Sequence, residues 1–283
     1  MTEKTIAVLG AGIMGRGIAY AAAVGGFRTI LQDVESAMLE KAVGEISATL
    51  EKGVALGKVD GAQAAAAHKC LTTTRELAEA ARAADLVIEA VPEKMEIKQS
   101  VFAELDEVTP GHAILSSNTS SLSITEMGEA TSRPHKVVGF HFFYPASTLR
   151  LIEVIEGDET SEETMQSAAN FAQQIRKLPI RCGQAPGFVV NRILNSAVSE
   201  IWRVRDEEDL DVEDVDKIVQ ESKAAPMGPF RLADMLGLDT VLHVAEHLRD
   251  SFGDRFYVSP AMKELVDAGN YGQKTGKGFY EHG

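Results

Sequence analysis

A histidine and a glutamate lie in two apolar segments, where an ionisable side chain needs a partner. His141 is near the end of the predicted strand 137–142, and Glu153 is in the middle of the predicted strand 151–156. An unpaired carboxylate in such a setting loses several kcal/mol of solvation, and a nearby imidazole would compensate for that loss. The carboxylate would also fix the ring tautomer and raise the basicity of the other ring nitrogen. The pair predicts acid–base chemistry with His141 as the base; a core histidine bonded to the backbone is the alternative.

Ser120 belongs to a run of polar residues that directly follows another predicted strand. Carboxyl ends of strands in an open α/β sheet face the ligand crevice, so Ser120 and His141 are both expected there. Capping is the alternative role for this run, because Ser121 or Ser123 could cap a helix over residues 125–129.

Asn191 lies on a predicted helix over residues 188–205, and Asn195 and Ser199 follow it at intervals of four residues. This spacing forms one polar stripe, and polar groups on a buried helix face need hydrogen-bond partners, of which a ligand between two domains is one. Together with the dinucleotide site that the start of the chain predicts, an acid–base pair with nearby hydroxyl and amide donors suits the oxidation of a secondary alcohol or its reversal. Ser120 and Asn191 would hydrogen-bond the oxygen as it becomes a carbonyl.

A glycine-rich turn near the start of the chain predicts a dinucleotide site. Gly10, Gly12 and Gly15 follow the apolar strand 5–9 and open a helical pattern, and Asp33 follows a second apolar strand. The first glycine permits the turn, the second lets a pyrophosphate approach, and the third allows close packing. The helix N-terminus favours phosphates, and the carboxylate accepts hydrogen bonds from a ribose, which favours NAD over NADP. A purely structural strand–turn–helix is the alternative. The residues assigned to the cofactor from this motif are Gly10, Gly12, Ile13, Met14, Gly15 and Asp33.

Alternating strand and helix patterns predict an α/β fold: a Rossmann-type, doubly wound, mostly parallel sheet, followed by a smaller all-α domain. The strand pattern ends near residues 183–187, which predicts an NAD-binding domain at residues 1–185 and a helical domain at residues 186–283. Residues 35–67 predict one long helix and a shorter returning one. The predicted strands are 5–9, 27–32, 70–73, 86–90, 113–116, 137–142, 151–156 and 178–181, and the predicted helices of the second domain are 188–205, 212–222, 232–252 and 260–268.

Composition limits the classes of partner. The chain has 283 residues and a formal net charge of −14, which argues against binding to nucleic acid or to an anionic membrane. Cys70 and Cys182 fit no metal-ligand spacing, so we expect no metal site and a reducing compartment. The N-terminus reads as a strand rather than a signal peptide, and no apolar run is long enough to span a membrane. We therefore expect a cytoplasmic protein that acts on a small molecule.

Motifs along essentially the whole chain resemble those of the 3-hydroxyacyl-CoA dehydrogenase family, in particular the short-chain 3-hydroxybutyryl-CoA dehydrogenases. The matching segments are Gly10–Gly15, Glu89–Glu93 through Lys98, Ser117–Leu122, His141–Phe143, Leu151–Ile155, Pro186–Arg192, Pro226–Pro229, Leu232–Asp234, Gly237–Asp239 and Lys274–Tyr280. The resemblance implies that the catalytic residues are Ser120, His141, Glu153 and Asn191. It implies that the NAD contacts include Asp33, Glu93, Lys98, Ser120 and Lys274. It also implies a homodimer formed through the helical domain and a place in fatty acid metabolism.

The chain departs from the family pattern at several positions around the expected substrate. Tyr144 stands where the family usually has an asparagine, so that a phenol replaces an amide expected beside the nicotinamide and substrate. Many family members have two lysines in a basic segment near the CoA phosphates. Here that segment is Leu56-Gly57-Lys58, which retains one basic residue, with Lys52 one turn earlier. Phe230 and Arg231 stand where smaller or aliphatic residues are frequent. The predicted chemistry is intact, while the acyl pocket and the carrier contacts are altered.

The sequence therefore predicts an NAD-dependent oxidoreductase that interconverts a short-chain (3S)-3-hydroxyacyl-CoA, most simply 3-hydroxybutyryl-CoA, and the 3-oxoacyl-CoA. Two alternatives within the family are a thioester on an acyl carrier protein and a free 3-hydroxy acid, whose carboxylate Arg150 or Arg231 would meet. A non-catalytic NAD-binding protein is an alternative of another class. The joint presence of the four catalytic residues argues against it.

Overall fold

The structure, a computed structural model, describes residues 4–283, and these divide into two units between Gln184 and Ala185. The first unit contains strands and helices, and the second is helical. Within the described residues, no helix is both long enough and apolar enough to cross a membrane.

A single sheet forms the centre of the first unit. Its strands are β1 (Thr5–Leu9), β2 (Arg28–Gln32), β3 (Leu71–Thr74), β4 (Leu86–Glu89), β5 (Ile114–Ser117), β6 (Val137–Phe142), β7 (Leu151–Glu156) and β8 (Leu178–Gly183). Their order in the sheet is β3-β2-β1-β4-β5-β6-β7-β8. The first six strands are parallel, β7 is antiparallel to β6, and β8 is parallel to β7. The predicted doubly wound, mostly parallel sheet is confirmed, and the carboxyl ends of the six parallel strands lie along one edge.

Helices alternate with these strands. They are α1 (Ile13–Val24), α2 (Ser36–Ala55), α3 (Gly61–Cys70), α4 (Leu77–Ala81), α5 (Met95–Val108), α6 (Ile124–Glu129) and α7 (Glu162–Gln174), with a 3₁₀ helix at Pro134–Lys136. The prediction of one long helix and a shorter returning one is confirmed by α2 and α3.

Ser121 and Ser123 were both considered as caps of a helix after β5. Ser123 accepts a hydrogen bond from Glu126 N at 3.2 Å and caps α6.

The second unit packs its helices around a separate apolar core. They are α8 (Val190–Glu207), α9 (Val212–Glu221), α10 (Pro229–Leu236), α11 (Leu238–Phe252) and α12 (Pro260–Asp267), with a 3₁₀ helix at Gly253–Arg255. Trp202, Phe230 and Met262 are buried in this core. The prediction of one helix over residues 232–252 was wrong, because Gly237, at a φ of +97°, ends α10 and starts α11. A left-handed φ breaks a helix and is readily adopted by glycine.

Arg176, the residue after the last turn of α7, has a left-handed backbone with a φ of +60° and an exposed side chain. An L-residue in this region loses about 1–2 kcal/mol relative to a right-handed backbone. Glycine avoids that strain but loses more chain entropy on folding, so an Arg176→Gly variant is expected to raise the free energy of unfolding by about 0.5–1 kcal/mol. Urea unfolding would measure this. The matched control, Lys41→Gly on an exposed face of α2, should lower stability by about 1 kcal/mol, and a loss of stability in both variants would contradict the strain at Arg176.

Candidate active site

His141 lies between a carboxylate and a hydroxyl. It stands directly opposite Glu153 on the antiparallel strands β6 and β7, and opposed side chains share one face of a sheet. His141 Nδ1 is 2.8 Å from Glu153 Oε2, and His141 Nε2 is 3.2 Å from Ser120 Oγ. Glu153 is fully buried and His141 is 5% exposed. The carboxylate can therefore accept the Nδ1 proton and leave Nε2 as an acceptor for a hydroxyl.

The loop after β5 holds Ser120 through its backbone. Glu93 Oε1 accepts a hydrogen bond from Ser120 N at 2.9 Å and another from the Thr119 hydroxyl. Asn118 Oδ1 accepts one from Phe142 N at 2.9 Å, which joins this loop to the end of β6. The serine hydroxyl is therefore fixed relative to the imidazole by contacts on both sides.

The turn between β1 and α1 has the space and the donors that a dinucleotide requires. Gly10 has a φ of +94°, and a Cβ on Gly15 would lie 1.7 Å from the Gly10 carbonyl oxygen, so a larger residue fits neither position. A Cβ on Gly12 would meet no described heavy atom within 4 Å, which leaves open space before α1. No described side chain caps α1, so the N–H groups of its first turn are available to an anion. These residues fit a bound NAD.

Asp33 follows β2 at the same edge of the sheet. Its Oδ2 accepts a hydrogen bond from Ala11 N at 2.7 Å, and its Oδ1 accepts one from Glu35 N at 3.0 Å. Each carboxylate oxygen has two acceptor positions, so both can still accept from a ribose hydroxyl. The backbone contacts hold the carboxylate beside the glycine turn, where the predicted ribose contact needs it.

Lys98, predicted to contact NAD, is only 1% exposed. Its Nζ is 2.7 Å from Glu89 Oε1 and 3.1 Å from Glu93 Oε2. Glu89 is fully buried; it lies in a segment that matches the family but was not among the predicted site residues. The signal that could have found it is the one that identified Glu153, a carboxylate within an apolar strand.

A cavity of about 180 Å³ lies between α1, α2 and the loop after β6. Arg16 and Glu45 in its lining form an ion pair at 2.6 Å. Thr49, Tyr144 and Pro145 also line it, and Tyr144 is 57% exposed. The helix side of the cavity mixes these polar groups with the apolar Ile13 and Ile46, and the loop side presents an aromatic and a proline side chain.

Lys177 anchors the loop that closes this cavity. Its Nζ donates hydrogen bonds to Ala146 O at 2.6 Å and to Leu149 O at 2.5 Å, and the residue is 5% exposed. Burial lowers the pKa of the Lys177 amine from 10.5 to about 8. The sequence analysis did not single out this lysine.

The lowered pKa predicts a specific pH dependence of stability. The folded chain releases the Lys177 proton at lower pH than the unfolded chain, so this group contributes stability that rises between about pH 8 and 10.5. A Lys177→Met variant lacks the proton, so its stability relative to the wild type should fall by about 2–3 kcal/mol between pH 7 and pH 10. Urea unfolding at both pH values measures the change, with the exposed Lys41→Met as control. A difference that stays constant with pH would contradict the shift.

Comparison with known proteins assigns both units to one family. Residues 5–185 match the family model described as 3-hydroxyacyl-CoA dehydrogenase, NAD binding domain, and residues 187–282 match the one described as 3-hydroxyacyl-CoA dehydrogenase, C-terminal domain. The chain belongs to the 3-hydroxyacyl-CoA dehydrogenase family. Members of this family are NAD-dependent oxidoreductases that act on a CH–OH group.

Individual relatives of this dehydrogenase cover its whole length. It is 38% identical over 283 residues to the probable 3-hydroxybutyryl-CoA dehydrogenase of Bacillus subtilis, covering 100% of this chain and 98% of the relative. It is 39% identical over 99% of its length to the fatty acid oxidation complex subunit alpha of Idiomarina loihiensis, but spans only 39% of that longer protein. The crystal structure of (S)-3-hydroxybutyryl-CoA dehydrogenase from Ralstonia eutropha matches with a TM-score of 0.94 and 36% identity, covering 100% of both chains.

Four other predicted site residues of the dehydrogenase are Lys52, Lys58, Asn191 and Lys274. Lys52, in the last turn of α2, and Lys58, just after it, are exposed. Asn191 is half-buried in the first turn of α8, where its carbonyl oxygen accepts a hydrogen bond from Asn195 Nδ2 at 2.9 Å. Lys274 Nζ is 2.7 Å from Asp239 Oδ1 and has a half-exposed side chain. Their contacts with substrate and NAD stay predictions.

Proposed function

We propose that this dehydrogenase interconverts a short-chain (3S)-3-hydroxyacyl-CoA, most simply 3-hydroxybutyryl-CoA, and the corresponding 3-oxoacyl-CoA. The observation that carries the proposal is the placement of His141 between the buried Glu153 carboxylate at 2.8 Å and the Ser120 hydroxyl at 3.2 Å. A histidine with a purely structural role does not need a serine hydroxyl at its second ring nitrogen. An acid–base catalyst does need that nitrogen to face a polar position at which the substrate hydroxyl can bind.

The proton chemistry follows from this geometry. Glu153 accepts the Nδ1–H of His141, so Nε2 carries the lone pair that takes the proton of the substrate 3-hydroxyl. The carboxylate then stabilises the imidazolium. Ser120 Oγ, next to Nε2, donates a hydrogen bond to the oxygen as it becomes a carbonyl, and the amide of Asn191 is assigned the same task. In the reverse direction the imidazolium returns the proton to that oxygen.

NAD, when bound, supplies the hydride acceptor for this oxidation. The residues that would hold it are Gly10, Gly12, Ile13, Met14, Gly15, Asp33, Glu93, Ser120, Tyr144 and Lys274. Lys98 is also predicted to contact NAD, but it is only 1% exposed and is bonded to two glutamates, so we assign it another task. The open space at Gly12 and the uncapped N-terminus of α1 support the phosphate position among the described residues. The Asp33 carboxylate, which lies beside that turn, supports the choice of NAD over a cofactor with a 2′-phosphate.

A second candidate is a dehydrogenase of the same chemistry that takes a thioester on an acyl carrier protein or a free 3-hydroxy acid. Tyr144 at the expected amide position and the reduced basic segment favour it, because they alter contacts to the acyl group and to the CoA phosphates. Lys52 and Lys58 are the residues we assign to those phosphates. Arg150, which is exposed, or Arg231 would meet the carboxylate of a free acid.

A substrate panel followed by NADH formation separates these candidates. We expect the highest kcat/KM with 3-hydroxybutyryl-CoA, a lower value with the truncated pantetheine thioester, and the lowest with free 3-hydroxybutyrate. A Lys52→Ala/Lys58→Ala variant should lower kcat/KM for the CoA thioester and leave that for the pantetheine thioester unchanged. Equal rates with both thioesters would contradict a CoA phosphate site, and preference for the free acid would support the second candidate.

We also propose that the protein forms a homodimer through its second unit, that it is cytoplasmic, and that it acts in fatty acid metabolism. Ile193, Leu194 and Ile218 of this unit are 62%, 57% and 65% exposed, and the burial of exposed large apolar side chains favours association. Light scattering of the purified chain gives the oligomeric state, and a monomer at micromolar concentration would contradict the dimer.

A further inference from the structure

A buried network connects the end of β4 to the backbone of Ser120. Glu89 Oε1 and Oε2 are 2.7 and 2.9 Å from Lys98 Nζ. The same ammonium is 3.1 Å from Glu93 Oε2, and the other oxygen of Glu93 accepts the hydrogen bond from Ser120 N at 2.9 Å. The contacts therefore run without a gap from a fully buried carboxylate to the loop that presents the Ser120 hydroxyl to His141.

Hydrogen bonds within the network satisfy the buried Glu89–Lys98 pair. Besides Lys98, Glu89 accepts hydrogen bonds from Val91 N at 2.7 Å and from Ser117 Oγ at 2.6 Å. Lys98 and Glu89 are 1% and 0% exposed, whereas the side chain of Glu93 is 39% exposed. A half-exposed glutamate has many rotamers available, and the buried ammonium selects the one that also reaches Ser120 N.

Stability alone gives little reason for such a pair. The desolvation of two buried charges offsets most of their attraction, and well-packed apolar residues of similar volume often serve the fold equally well. A buried pair that orients a third residue at a reacting group has a use that apolar residues cannot supply.

We propose that Lys98 and Glu89 are positioning residues that act through Glu93 to hold Ser120 Oγ at His141 Nε2. This rests on the proposed function for the identity of the reaction, and it assigns Lys98 a task other than direct contact with NAD. Lys98 orients Glu93 by charge, and Glu93 accepts hydrogen bonds from the Thr119 hydroxyl and from Ser120 N. The serine hydroxyl then meets the imidazole.

The test removes the network charges and keeps the shapes. The Glu89→Gln/Lys98→Met double variant removes both buried charges together, and Glu93→Gln weakens the link to Lys98 at a half-exposed position where folding is not at risk. Each is made in the wild type and in a Ser120→Ala background, and each is assayed with the substrate that the panel finds best. Asp106→Asn is the control, because it disrupts a partly buried ion pair of α5, with Arg133, about 12 Å along the helix from Lys98.

We expect both network variants to lower kcat by about 10–100-fold, as misplacement of a reacting group by an ångström does. In the Glu89→Gln/Lys98→Met variant the KM for NAD should change by less than about 3-fold. Because Glu93 is itself assigned to the cofactor, kcat and amide exchange are the readouts for Glu93→Gln. In both variants the loss in kcat should shrink to less than about 3-fold in the Ser120→Ala background. Hydrogen exchange of the Ser120 amide should become faster by at least 10-fold in both variants, since the amide loses its fixed acceptor. The Asp106→Asn control should keep kcat and the exchange rate.

Three results would overturn the proposal. An equal loss of kcat in both backgrounds means that the network does not act through Ser120. A loss confined to NAD affinity in the Glu89→Gln/Lys98→Met variant means that Lys98 contacts the cofactor directly. Unchanged amide exchange means that Glu93 does not depend on the buried pair. The exchange measurement needs no turnover, so it decides the proposal even if the wild type fails to oxidise any thioester in the panel, which would contradict only the proposed function.

Discussion

A His141→Gln variant is expected to lower kcat by about 10²–10⁴-fold, the usual contribution of a positioned general base. Glutamine can hydrogen-bond to Ser120 and to Glu153 but cannot take up and release a proton near neutral pH. In the wild type Nε2 is 3.2 Å from Ser120 Oγ, so the imidazole is the proton acceptor nearest to that hydroxyl among the contacts described. The loss should fall on the chemical step and leave cofactor binding intact.

The measurement is steady-state NADH formation, together with a fluorescence titration of NADH to obtain its Kd. The Kd should stay within about 3-fold of the wild-type value, because a group used in the transition state contributes little to ground-state binding. His68→Gln, at an exposed position of α3, is the matched control and should keep full activity. Full activity of the His141→Gln variant would show that another group is the base.

A Glu153→Gln variant is expected to lower kcat by about 10²–10⁴-fold, although the substituted residue never meets the substrate in the proposed mechanism. A neutral amide does not stabilise an imidazolium. It can also donate to Nδ1, which selects the tautomer with a proton on Nε2 and removes the acceptor that the substrate hydroxyl needs. Since Glu153 is fully buried, solvent cannot replace the lost charge.

Glu156→Gln provides the control, since Glu156 is an exposed residue on the same strand and should tolerate the change. Residues that act as one unit do not lose activity additively, so the His141→Gln/Glu153→Gln variant should be within about 3-fold of the His141→Gln variant. Thermal unfolding of each variant separates a catalytic loss from a folding defect. If the two single losses multiply in the double variant, Glu153 does not act through His141.

The sequence predicted which residues form the site better than it predicted how those residues are arranged. A carboxylate in the middle of β7 had to have a partner, and His141 was a candidate because both lay in apolar strands. That reasoning could not supply the strand pairing. Glu89 carried the same signal in β4, yet its partner, Lys98, lies on α5, and a helical lysine gives no sign in the sequence that its ammonium is buried.

Secondary structure shows the same division. Strands β1, β6 and β7 have the predicted ends, because runs of apolar residues mark a buried strand locally. The helix predicted over residues 232–252 failed at Gly237, where apolar periodicity continues through a residue whose φ of +97° ends one helix and begins the next. Glycine within a helical pattern is often tolerated, so the break is decided by the packing around it.

The sequence by itself determined the kind of parts: a glycine turn after a strand, an acid after the next strand, an imidazole and a carboxylate in apolar surroundings, and a helical C-terminal third. These follow from local spacing and from the energy of burying charge. Only the tertiary structure decided that β7 runs antiparallel to β6 in the register that sets residue 141 against residue 153. A shift of that register by one residue would turn one of the two side chains to the opposite face of the sheet. Register depends on contacts between residues distant in sequence, and no local pattern contains them.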